Sequence, residues 1–181
     1  AIAPDDGRVQ QFTAQAQAQL AVMDAVSDVG PPATLLTFDG TITAPVTPRS
    51  IVVGGRSIWF IESDRGRLFR IDLAPASPDA QSPEEVYRAG TTYGGVAGRD
   101  PVGIAWDEEG ERLLLIDAGR ALFSITESAT TPEPVVLRGS GELRSAVAIA
   151  VYQRNLYILD PAGGEIWRYL PASEGYDSNR T

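Results

Sequence analysis

The residues able to do chemistry in this chain are few in kind. Glu62, Asp117 and Asp160 each close a hydrophobic run and stand just before a glycine-bearing turn, 55 and 43 residues apart. Three carboxylates gathered at one rim would hold a calcium ion. A carboxylate at a strand end also accepts hydrogen bonds from the backbone N–H groups of the turn that follows. That second role explains why one acid recurs per segment, since a cation site needs acids converging on one point. A structural turn role is the expectation for all three.

The rest of the catalytic vocabulary is narrow. His and Cys are absent, which excludes the usual zinc sites, cysteine nucleophiles and Ser–His–Asp triads. All fifteen basic residues are Arg, so Schiff-base lysines and Walker-type phosphate loops are excluded too. The formal charge of −9 and the lack of a basic stripe argue against a nucleic-acid partner. No apolar run approaches the ~20 residues of a membrane span, so no membrane insertion is expected within this segment. No catalytic, metal or cofactor-binding residue is assigned. Carboxylates, Tyr, Ser/Thr and Arg remain, with calcium as the compatible cation.

Two stretches carry charge at equivalent places. Arg99-Asp100-Pro101 and Arg144-Ser145-Ala146 each precede an apolar strand. Arg99, Asp100, Arg144 and Ser145 are therefore the ligand-loop candidates, with the two arginines able to meet an anion. Surface ion pairing in an acidic protein is the plainer reading. The acidic run of residues 107–111 lacks the alternating ligands of a calcium loop and reads as a hairpin turn. Trp59, Trp106, Trp167, Tyr157 and Phe69 fall on alternating strand positions, where packing is the expected role. Gly94-Gly95 and Gly139-Ser140-Gly141 are followed by no helix and form no dinucleotide fingerprint.

The elements that position these residues follow from periodicity. Val9, Phe12, Ala16, Leu20 and Met23 recur at three- and four-residue spacings, which predicts an amphipathic helix over residues 7–28, started at Asp5 or Asp6 and ended by Gly30-Pro31-Pro32. From residue 33 the period changes to two. Residues 50–71, 103–125 and 148–169 then repeat one pattern: apolar strand, tight turn, apolar strand ending in an acid, glycine turn, strand with a central aromatic. Weaker strands at 84–88 and 134–138 each close on a glycine. The reading is one helix with its linker over residues 1–32, then about three four-stranded blades over 33–181. The fold class is all-β, a β-propeller fragment preceded by an N-terminal α-helix.

P-V-G-I-A-W-D-E-E-G-E-R-L-L-L-I-D, residues 101–117, resembles the NHL-repeat signature. So does A-V-A-I-A-V-Y-Q-R-N-L-Y-I-L-D-P-A-G-G-E-I-W-R-Y, residues 146–169, and residues 50–72 fit it more loosely, with Glu62 replacing the Asp. The resemblance implies a propeller family that includes lactonases, lyases, sugar dehydrogenases and pure binding scaffolds. An Ala/Gln-rich helix before such blades also resembles the extracytoplasmic part of membrane-anchored bacterial proteins, some fused to phosphatase-like signalling domains. The expected function is a non-catalytic binding, sensor or protein-interaction module, extracytoplasmic or secreted, taking a protein or small ligand at the channel mouth. One rival is a calcium-dependent lactonase-type hydrolase, which needs Asp100, Asp117 and Asp160 to converge. Another is a structural dimerisation element.

Three blades cannot close a ring, since closed propellers have four to eight. The pattern predicts an extra strand pair over residues 34–44 and no fourth strand after Tyr169. The chain is then about half of a larger propeller, and two copies would complete a ring of about six blades as a homodimer.

Overall fold

A computed structural model of the chain describes residues 7–23, 34, 46–73 and 82–178. The helix, α1, runs Gly7–Met23. Its expected caps, and the turn that was to continue it to residue 28, lie outside the described residues. The chain divides into two compact units, residues 1–37 and 38–181. Within α1, the Thr13 hydroxyl donates to the Val9 carbonyl, and Phe12 is exposed.

The β region forms because its apolar residues alternate between tight turns. The first blade is β1 (Pro48–Gly54), β2 (Ser57–Glu62), β3 (Arg67–Asp72) and β4 (Glu84–Arg88), paired antiparallel in that order. A small hairpin follows, β5 (Thr92–Tyr93) and β6 (Val96–Ala97), turned by Gly94 and Gly95 at positive φ. The second blade is β7 (Pro101–Asp107), β8 (Arg112–Asp117), β9 (Leu122–Thr126) and β10 (Glu133–Val135). The run expected at 134–138 as one strand breaks at Val136. Its second half, β11 (Leu137–Arg138), leaves the second blade for the third.

The third blade corrects the sequence reading. After β12 (Ala148–Tyr152), β13 (Asn155–Asp160) and β14 (Glu165–Ala172) comes a fourth strand, β15 (Gly175–Ser178). β11 then pairs parallel with β15 as a fifth strand at the outer edge. Gly175 holds φ at +99°, and a Cβ there would lie 2.2 Å from the Val136 carbonyl oxygen. Tyr176 is buried between blades two and three, and its N–H donates to that same carbonyl at 2.9 Å. The polar residues around β15 hid it, because only Tyr176 of its four faces the core.

The blades stack through two apolar seams. Trp59, Ile61, Leu68 and Tyr87 of the first blade pack on Ile104, Leu113, Leu115 and Phe123 of the second. Leu114, Ile116 and Leu122 of the second pack on Leu156, Ile158, Trp167 and Tyr176 of the third. The inner strands β1, β7 and β12 lie side by side, with the remaining strands outward, which is the radial arrangement of a β-propeller. The strand pair expected over residues 34–44 lies, apart from Thr34, outside the described residues.

Small residues set the spacing at the axis. A Cβ at Gly103 would stand 2.9 Å from the Ile149 nitrogen and 3.1 Å from the Ala148 Cα, backbone atoms that cannot rotate away. Gly54 lies against the Trp106 ring, 2.1 Å from where its Cβ would be. Gly103→Val should therefore lower stability by about 1–3 kcal/mol through overpacking, read as a fall in melting temperature. Gly141→Ala, with nothing within 4 Å, should leave it unchanged. A Gly103→Val protein melting with wild type would show that β7 and β12 do not approach so closely.

Candidate functional site

The acids end β2, β8 and β13, all on the face where the chain enters each inner strand. All three are fully buried. Asp117 Oδ1 accepts from the Ala121 N–H at 2.9 Å, in the turn after its strand. Its Oδ2 accepts from the Arg99 N–H at 2.8 Å, in the loop that leads into β7. Asp160 repeats this, accepting from Gly163 at 3.0 Å and Ser145 at 2.9 Å on Oδ1, and from Arg144 at 2.8 Å on Oδ2. Each Asp thus ties the turn leaving its blade's second strand to the loop entering the first.

Glu62 is one methylene longer and behaves differently. It accepts from the Asp64 and Arg65 N–H groups of its own turn and from Arg67 Nε, at 3.0–3.2 Å. The incoming loop is held instead by the Thr47 hydroxyl donating to Asp64 and by the Ser63 N–H donating to the Thr47 carbonyl.

The ligand-loop candidates are the other half of this arrangement. Arg99 has both backbone groups fixed, its N–H by Asp117 and its carbonyl by the Tyr87 hydroxyl, which donates at 2.6 Å. Burial, then the nearby Asp117 charge, pushes the Tyr87 pKa far up, so this donor keeps its proton. The Asp100 carbonyl accepts from Ala118 N–H at 2.8 Å. In the third blade, Asp160 fixes Arg144 and Ser145, and the Arg120 guanidinium donates to the Leu143 and Gly141 carbonyls. Arg120 sits at φ +69°, where the first and third blades place Gly66 and Gly164. A non-glycine residue is disfavoured there, and the reach of Arg120 across to the next blade offsets that cost.

The Arg99 and Arg144 side chains are exposed, and among the described residues no ion pair or hydrogen bond holds either guanidinium. Ser145 is half-buried. Asp100 is exposed and lies over Gly66, whose Cβ would come 2.5 Å from Asp100 Oδ1. The acids do not converge: no three His, Cys, Asp or Glu residues gather among the described residues. The lone pairs of Asp117 and Asp160 already face N–H donors. Sequence reasoning missed Tyr87 and Arg120. Tyr87 lies in a weak strand, and Arg120 acts on carbonyls of the next blade, which no local pattern reveals.

On the opposite face a cleft of about 490 Å³ opens between blades one and two, lined by Arg56, Arg70, Asp72, Glu84 and Glu127. Its charges satisfy one another: Arg70 donates to Glu84 and to the Glu127 and Ala129 carbonyls, Arg56 pairs with Asp72, and the Arg56 N–H donates to Glu127.

No family model matches the sequence, and no curated protein matches it. Solved structures do. A chain of the nidogen/laminin complex aligns with a TM-score of 0.52 at 18% identity, over 70% of this chain and 44% of that one. This chain is part of a β-propeller. The major Malassezia sympodialis allergen Mala s 1 aligns at 0.51 and 16% identity, over 79% of this chain and 44% of that one. The WD40 β-propeller domain of Doa1 aligns at 0.47 and 10%, over 72% and 43%. The chain spans less than half the length of the solved chains it matches.

Two outcomes follow. Asp117→Ala should cost about 2–3 kcal/mol, because buried N–H groups lose their acceptor, while Asp100→Ala at the exposed neighbour should change stability by under ~0.5 kcal/mol. Equal melting of the two variants would contradict the clasp. For Asp160, the Arg144 N–H chiefly holds the carboxyl below its ordinary value near 3.8, with burial opposing and Gly163 and Ser145 adding to the lowering. A folded pKa below the unfolded one gives stabilisation that is complete above the unfolded value and is lost as pH falls through the folded one. The melting gap between wild type and Asp160→Asn should thus be wide at neutral pH and shrink progressively as pH falls below about 4. A gap constant with pH would contradict it.

Proposed function

We propose that this chain is a non-catalytic binding module of an NHL-type propeller, the extracytoplasmic part of a larger bacterial protein, and that it engages acidic groups of a partner protein through Arg99 and Arg144. The observation that carries the reading is the contrast within one residue. The Arg99 backbone is bonded at both N–H and carbonyl, while its side chain is exposed, lies along Gly119, and makes no ion pair or hydrogen bond among the described residues. Arg144 is similar in the next blade: its N–H is held by Asp160, whose charge its exposed side chain also feels. A fixed backbone lowers the ordering cost of binding, and a free guanidinium offers a bidentate fork to a carboxylate.

The NHL-like motifs and the Ala/Gln-rich helix before them support the family and the location. A second copy of the chain is the protein partner this reading gives to the apolar blade faces. The acids serve the loops and hold no metal in this reading, so no calcium is required.

Fluorescence anisotropy of a labelled oligoglutamate peptide tests it. Wild type should bind, more weakly as salt rises. Arg99→Ala/Arg144→Ala should weaken binding at least about 10-fold, the scale of one charge-assisted contact. Equal binding by both proteins, or calcium-dependent turnover of a lactone by the wild type, would contradict the reading.

A further inference from the structure

A second cleft, of about 470 Å³, opens between blades two and three. By strand register it is a copy of the cleft between blades one and two. Glu62 and Asp117 end β2 and β8, and counting back from them sets Trp59 level with Leu114. Trp59 pairs with Arg70 and Leu114 with Ser124. Arg70 in turn pairs with Glu84, and Ser124 with Glu133. Ser124 therefore stands where the first cleft has Arg70, and Glu133 where it has Glu84. On the far wall, Pro171 and Ser173 hold the places of Glu127 and Ala129.

The first cleft shows what this arrangement holds. Arg70 lies over the Trp59 ring at 5.5 Å, donates to the Glu84 carboxylate, and reaches the Glu127 and Ala129 carbonyls across the seam. Its guanidinium joins an acid of its own blade to main-chain acceptors of the next. Serine is too short to do this in the second cleft. The third blade again places an arginine, Arg168, at this position, so the second blade is the exception.

The acid of the second cleft is left without its partner. Glu133 is exposed, and among the described residues it makes no ion pair or hydrogen bond. The two arginines that line the cleft are turned to other carboxylates, Arg112 to Asp107 at 3.1 Å and Arg154 to Glu109 at 3.7 Å. Glu174 faces Arg138 at 3.6 Å. With those pairs matched, Glu133 leaves the site with a negative charge in excess. Pro134, Val135 and Pro171 add apolar wall, the kind of surface that the methylene stem of a long cationic side chain covers.

We infer that the second cleft binds a guanidinium group from outside the chain, held by Glu133 as Glu84 holds Arg70. A guanidinium gives a carboxylate two parallel hydrogen bonds and keeps further N–H donors for carbonyls, in a fork that an ammonium lacks. The site is built from other residues than Arg99 and Arg144 and does not depend on their role.

Titration of the isotope-labelled chain with acetyl-Gly-Arg-Gly-amide, followed through backbone amide shifts, tests it. The Ser124, Glu133 and Ser173 amides should move together and saturate. The same peptide with lysine should bind at least about 5-fold more weakly. Glu133→Gln, at an exposed position, should melt with wild type and bind the arginine peptide at least about 5-fold more weakly, the scale of one charge-assisted contact. Ser124→Arg should supply the guanidinium from within and exclude the peptide, while Ser124→Ala should bind as wild type. Free arginine separates the sources: the tighter of amino acid and peptide names a small molecule or a partner protein, and either supports the site. Cleft amides that stay still, equal affinity for the two peptides, or a Glu133→Gln protein that binds as wild type would each overturn the inference. So would inorganic phosphate moving these amides where the arginine peptide does not, since Arg112 and Arg154 would then set the charge of the cleft.

Discussion

The structure depends on a buried carboxylate shared between two segments far apart in sequence. Asp117 and Asp160 each accept N–H groups from the turn after their own strand and from a loop fifteen or more residues earlier. A charged acceptor in a dry site is stabilising only when its lone pairs are filled, and costly when they are not. Here backbone N–H groups fill them. The same bonds satisfy donors of an irregular loop that would otherwise be buried or left to water. In the second and third blades one side chain therefore fixes where the inner strand begins, and with it the register of the blade.

That registration makes radial stacking workable. A four-stranded sheet with two apolar faces has no independent stability and must be covered by neighbours. Glycine and alanine near the axis let the inner strands meet, and large side chains fill the wider outer space. The chain also stitches its blades together. β10 belongs to the second blade, and two residues later β11 pairs with the edge of the third. Arg120 reaches from one blade to the loop of the next, and Tyr87 links the first blade's outer strand to the loop of the second. Loops held at both ends in this way keep their side chains at fixed positions, which is what a recognition surface requires.

Much of this was legible in the sequence. The recurrence of Glu62, Asp117 and Asp160 after hydrophobic strands marked the hairpins. The helix was legible from its three-and-four spacing, and the first three strands of every blade from alternation. The bonds from the acids to Arg99, Arg144 and Ser145 were not, because they span fifteen to eighteen residues and depend on how a blade closes. β15 was hidden for a different reason. Gly175–Ser178 is short and polar, and it is held by Val136 and Leu137 from the preceding connection, so its partner rather than its composition makes it a strand. Arg120 at positive φ ran against the local preference for glycine, and its contact with the next blade is not visible in any local pattern.

The most direct measurement is backbone amide hydrogen exchange, residue by residue, at Arg99, Arg144 and Ser145. Their side chains are exposed or half-buried, and all three lie in loops outside the regular strands. If buried carboxylates hold them, these amides should exchange as slowly as those of the central strands β8 and β13. Exchange at the rate of an open surface loop, with β8 and β13 still protected, would contradict the account.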